Sequence, residues 1–141
     1  MKRMLVVLVV CLFVVPLFAD AKADARALAE MFEAGARAGD VERMVAIFSP
    51  DAVLMPPNMP AMMGTDAIRK FWSGMLQGGK ADVDLMADDF VITDDVVVER
   101  GRYAINMPFQ DTGKYVIVLR KQDGKWRAVT DIFNSDLAPA K

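Results

Sequence analysis

The hydrophobic period changes twice along the chain. From Met4 to Phe18 every residue is apolar except Pro16, and this run follows a basic start at Lys2 and Arg3. From Asp20 to Gly79 apolar residues recur at helical spacing. From Asp82 to Ser135 they alternate with polar ones, as along strands.

The first run has the form of a secretory signal: a basic end, then an apolar stretch too short for a comfortable membrane span. Cleavage is expected after Ala19 or after Ala21, where Ala19-Asp20-Ala21 has the small-x-small form. Residues 1–19 are thus read as a signal peptide and 20–141 as one periplasmic or secreted domain. The alternative is a retained anchor. Cys11 follows Leu8-Val9-Val10, but bulky Val10 stands where a lipobox needs a small residue.

Leu28, Met31, Phe32 and Gly35 predict a helix from Asp20 to Ala38, ended by Gly39. Asp40 can cap a second helix with the stripe Val41, Met44, Val45 and Phe48, ended by Ser49-Pro50. Asp51–Met55 reads as a short strand running into a proline-rich loop. Thr65 can cap a third helix carrying Ile68, Phe71, Trp72 and Met75, closed by Gly78-Gly79. Four strands are expected near Asp82–Ile92, Val96–Met107, Lys114–Lys121 and Trp126–Ser135. Asp94-Asp95, Asp111-Thr112-Gly113 and Asp123-Gly124 serve as their turns. Helices first and a meander afterwards make an α+β domain. A sheet this long must curl over the helices, leaving a concave interior suited to a ligand.

The chain has 17 basic and 19 acidic residues. Losing Lys2 and Arg3 with the signal leaves 15 against 19, a net charge of −4. No basic patch stands out, so nucleic acid is not an expected partner. Cleavage also removes the single cysteine, Cys11, and there is no histidine. A thiol nucleophile, a Ser-His-Asp triad and a histidine-held metal are therefore excluded from the mature domain. No glycine-rich phosphate loop follows a strand. Asp88-Asp89 and Asp94-Asp95 read as solvated turns rather than a calcium site.

The stretches "AGDVERMVAIFSPDAVLMPP", "GTDAIRKFW" and "DTGKYVIVLRKQDGKWRAVTDIFNSD" resemble the SnoaL-like branch of the NTF2-like superfamily, which includes ketosteroid isomerases and polyketide cyclases. The resemblance spans nearly the whole mature chain. It implies a cone of three N-terminal helices on a curved antiparallel sheet, a deep apolar pocket, and frequent homodimers through the outer sheet face. It does not specify an activity. Ketosteroid isomerases use an aspartate base with a tyrosine and a protonated aspartate as oxyanion donors. A gapless alignment puts the tyrosine on Phe32, the base on Pro56 beside Met55, and the oxyanion aspartate on Val116. None of these can do the corresponding chemistry.

The same alignment turns Arg127, Val129, Asp131 and Phe133 toward the pocket, and Trp126, Ala128, Thr130 and Ile132 away. Asp131 between Val129 and Phe133 should be hard to ionise, as a general acid or base working near neutrality requires. The alternative is a carboxylate paired with an arginine. Arg102 or Tyr103 could polarise a carbonyl-type substrate; they have opposite parity on their strand, so only one can face inward. Phe32, Met55, Trp72, Val116, Val118, Val129 and Phe133 are the expected pocket lining. Asn134, Asp136, Asp111 and Lys114 read as turn chemistry.

Met55, Met59, Met62 and Met63 crowd into nine residues with Pro56, Pro57 and Pro60. Methionine fills apolar pockets adaptably, so this loop reads as the pocket lip. The alternative is Cu(I) binding through Met59, Met62 and Met63, since thioethers are soft ligands. The resulting expectation is an exported small-molecule pocket protein, homodimeric and without a cofactor, that binds an apolar or weakly polar ligand. Acid-base catalysis, a non-catalytic binding or interaction role, and copper binding remain as separate readings.

Overall fold

A computed structural model describes residues 17–138 except positions 78 and 108. The expected signal peptide falls mostly on residues 1–16, outside the described residues. No described helix is long and apolar enough to cross a membrane.

Helix α1 spans Leu17–Ala38, three residues earlier than the pattern predicts, so it runs across both expected cleavage positions. Its buried stripe includes Ala25, Phe32 and Ala36. Gly35 lets the next helix approach: a Cβ there would lie 2.8 Å from Met44 Cγ. Gly39 ends α1 at φ +74°, a conformation cheap only for glycine. Asp40 then caps α2 (Val41–Val45) by accepting from the Arg43 backbone N–H at 3.0 Å.

Phe48 is not part of that helix. It opens strand β1 (Phe48–Met55), which is longer than expected because the extended conformation that Pro50 imposes on Ser49 also suits a strand. The ladder between β1 and the last strand is irregular between Phe48 and Val53, where proline can donate no hydrogen bond. A two-residue strand, β2 (Met62–Met63), pairs back on β1. Helix α3 (Gly64–Met75) begins at Gly64, φ +79°, so Thr65 lies inside its first turn and no side chain caps it.

The remaining strands are β3 (Asp82–Ile92), β4 (Val96–Asn106), β5 (Gln110–Gln122) and β6 (Lys125–Ser135). The sheet order is β2-β1-β6-β5-β4-β3, antiparallel throughout except for the parallel pair β1–β6. Asp123 and Gly124 both take positive φ, as a two-residue hairpin turn demands. Asp111, Thr112 and Gly113 are not a turn; they lie within β5, and the chain reverses earlier, between Asn106 and Gln110. Asp88 and Asp89 likewise lie in β3, beside a bulge, and pair with Arg102 and Arg100. The curved sheet packs its concave face on the helices, with α1 over β3 and α3 over β1. Phe48, Met44, Leu54, Ile68 and Leu119 are fully buried there, each contributing roughly 1.5–3 kcal/mol.

Candidate functional site

Alternation along β4 sends Val97, Glu99, Gly101, Tyr103 and Ile105 to the concave face, and all five are buried. On β5 the inward set is Gly113, Tyr115, Ile117 and Leu119. The strands pair Gly101 with Tyr115 and Tyr103 with Gly113. Each tyrosine ring therefore lies over the glycine opposite it. A Cβ on Gly101 would come 2.7 Å from the Tyr115 hydroxyl, and one on Gly113 would come 2.6 Å from that of Tyr103. Two cross-strand glycines thus make room for two inward tyrosines.

These residues and the inner face of α1 line a cavity of about 60 Å³. Phe32, Trp72, Tyr103, Tyr115 and Phe133 put five aromatic rings on its wall. Trp72 stacks on Phe133 at 6.1 Å and meets Phe32 edge-on at 5.1 Å. The Trp72 indole N–H is buried without a hydrogen-bond partner among the described residues.

Asp131 and Glu99 also line the cavity. They occupy one row of the sheet, with Ile117 between them on β5, so their Cα atoms are roughly 10 Å apart. Glu99 is 4% exposed and accepts a hydrogen bond from the Tyr115 hydroxyl. Burial raises the Glu99 carboxyl, and the Tyr115 bond partly offsets that rise. Asp131 has no hydrogen-bond or ion-pair partner among the described residues. It is half-buried and lines the cavity. Burial, with a smaller push from the Glu99 charge, raises its carboxyl to about 7. Toward one end of the sheet, Asp111 accepts from Tyr103 at 2.9 Å and from Ser135 at 2.6 Å. Burial and the Asp111 bond raise the Tyr103 phenol, and burial and the Glu99 bond raise that of Tyr115.

The expected site residues divide. Asp131, Tyr103, Phe32, Trp72 and Phe133 meet at the cavity. Arg102 points outward, is exposed, and holds Asp88 at 2.8 Å, so it cannot polarise a ligand in the cavity. Val116 and Val118 alternate away from the cavity, on the face that also carries Lys114 and Arg120. The gapless alignment is therefore one residue out of phase on β5. Val129 has no partner across from β5: the register skips it, since Val118 pairs with Thr130 and Leu119 with Ala128. This bulge reverses the face of β6. Ala128 is consequently buried in the core, and Arg127 lies in a separate open cleft with Phe48 and Arg69. Met55 pairs with Ile132 on the outward row and does not line the cavity. Met62 packs against the core and Met63 is 67% exposed, as neighbours on a strand point to opposite faces. That arrangement separates two of the three thioethers a copper site would use.

Glu99, Tyr115 and Asp111 are site residues that sequence reasoning missed. A signal for Glu99 was present: it shares parity with Val97, Tyr103 and Ile105, so a carboxylate sits in an otherwise apolar row.

Residues 26–129 match the SnoaL-like domain family. The fold is similar to that of a ketosteroid isomerase-like protein from Erwinia carotovora atroseptica, with TM-score 0.70, 18% identity, and coverage of 82% of this chain and 96% of that one. It is also similar to an NTF2-like protein of unknown function from Pseudomonas putida, with TM-score 0.69, 14% identity, and coverage of 86% and 98%. A protein of unknown function with a cystatin-like fold from Nostoc punctiforme gives TM-score 0.72, 20% identity, and coverage of 85% and 94%. No curated protein matches the sequence.

Proposed function

The chain belongs to the SnoaL-like family, and from that premise we propose that it is an exported pocket protein for a small, largely apolar ligand, with Asp131 as its proton carrier. The observation that carries this reading is the Asp131 carboxyl, unpartnered among the described residues on the wall of an aromatic cavity. A carboxyl titrating near 7 can take a proton from carbon beside a carbonyl and return it elsewhere on the same molecule. Glu99 and Tyr115, bonded to each other, shape the floor of the site and set its field. Tyr103 lines the wall with its ring, while its single hydroxyl proton is donated to Asp111, so it shapes the pocket rather than polarising a ligand oxygen. Export rests on the N-terminal apolar run. A homodimer would use the outward sheet face, where Val116 and Ile132 are exposed beside Arg100 and Lys114.

Native mass spectrometry of protein purified from its own envelope tests the reading. A retained organic mass supports a pocket function and supplies the compound for turnover assays, in which Asp131→Asn should abolish proton exchange while the protein stays folded. Turnover that survives Asp131→Asn rules out Asp131 as the proton carrier. The same spectrum reads the leader, through the mass of the mature N-terminus, and the oligomeric state.

A further inference from the structure

The cavity wall has an uneven charge balance. It carries two carboxyls, Glu99 and Asp131, and no lysine or arginine among its lining residues. Lining from α1 is apolar (Ala25, Leu28, Ala29 and Phe32), α3 contributes Trp72, and β1 places Leu54 beside Asp131. Arg26 of α1 is the cation whose charge reaches Glu99 and Tyr115. Its guanidinium is already committed to Glu33 at 3.1 and 3.2 Å and to Glu30 at 3.1 Å. It also bonds the Leu85 carbonyl, and its side chain is 49% exposed. Negative potential inside the cavity therefore has no internal neutraliser.

Five aromatic rings line the same wall, and a cation that meets a ring face is attracted by its negative quadrupole. Buried carboxylates facing a ring-lined cavity suit one ligand charge. We propose that the cavity selects a small organic cation, an alkylammonium whose apolar substituents meet the rings while Asp131 and Glu99 balance its charge. The space of about 60 Å³, room for a few water molecules, limits the cationic head to about the size of a trimethylammonium group. This inference rests on the pocket reading above and narrows it to one ligand charge.

The group invoked is Asp131, faced by Glu99 across Ile117, by Tyr115, and more distantly by Arg26 paired with Glu33. A cation favours the ionised carboxylate, so binding should release a proton near neutrality. With the carboxyl at about 7, affinity should fall about tenfold from pH 8 to pH 6.

Isothermal titration calorimetry of the full protein with choline, and with dimethylbutanol, its neutral analogue with carbon in place of nitrogen, tests the inference. Choline should bind at least about tenfold more tightly at pH 8. That preference should shrink toward pH 6 and be lost in Asp131→Asn. The pH dependence of the unmodified protein carries the test even if the variant fails to fold. Binding of dimethylbutanol as tightly as choline overturns the cation inference and leaves the pocket reading standing. Binding of neither, together with no uptake of an apolar dye, overturns both.

Discussion

Asp131→Asn should stabilise the protein at alkaline pH and leave its stability nearly unchanged at acid pH. The carboxyl rises from its ordinary 3.8 to about 7 on folding, because burial disfavours its charge. At about 1.4 kcal/mol per unit, the rise corresponds to about 4 kcal/mol. The folded state holds this proton more tightly than the unfolded chain does. Stability from this group is therefore fully present below pH 3.8, is lost as pH rises to about 7, and stays lost above. Asparagine has no charge to bury and escapes the loss. Water entering the cavity and residual compaction of the unfolded chain reduce the full value, so the expected gain at pH 8 is about 2–4 kcal/mol. Urea unfolding of both proteins between about pH 4 and pH 8 gives the difference, with other groups largely cancelling. The gain should grow from about pH 4 to about pH 7 and level off above. A difference that stays constant within about 0.5 kcal/mol would mean that Asp131 is solvated or paired, and would refute both the desolvation argument and the proton-carrier role.

Gly101→Ala and Gly113→Ala should each destabilise by about 1–3 kcal/mol in thermal unfolding, since the new methyl would lie 2.4 Å from the Met86 carbonyl oxygen or 2.1 Å from that of Asn134. Their near-ultraviolet circular dichroism should change as well, because each glycine seats a tyrosine. Leu119→Ala should cost about 2–5 kcal/mol in denaturant unfolding, as Leu119 is 1% exposed. Arg102→Ala should leave ligand affinity and the urea midpoint essentially unchanged, since its ion pair with Asp88 lies at the surface; a loss of affinity would put Arg102 back at the pocket.

Legibility followed the length of each pattern. β3 runs from Asp82 to Ile92 in the sequence reading and in the structure, because Gly79 before it and the Asp94-Asp95 turn after it leave little freedom in its boundaries. The Asp123-Gly124 turn was legible because its two positive φ angles suit few residue pairs. The Asp111-Thr112-Gly113 turn misled: glycine there makes space for Tyr103 rather than bending the chain, and local composition does not distinguish the two uses. The gapless alignment turned Asp131 and Phe133 inward, where they line the cavity, and Val116 and Val118 inward, where they do not, because it is one residue out of phase on β5. The charges at Lys114 and Arg120, on the same face, were the evidence against that phase.

By itself the sequence determined most of the elements and the family, because hydrophobic period and turn chemistry are properties of neighbouring residues. It also determined that no histidine-dependent site can be built, since the chain has no histidine. Only the tertiary structure decided which side of each strand meets the cavity. One unpaired residue, Val129, reverses the face of β6, and nothing in its own side chain announces that. The union of Glu99, Tyr115 and Asp131 likewise exists only across three strands, where pairing register places residues far apart in the chain on one wall. The raised Asp131 carboxyl follows from that placement, because desolvation depends on everything packed around a group and not on its neighbours in sequence.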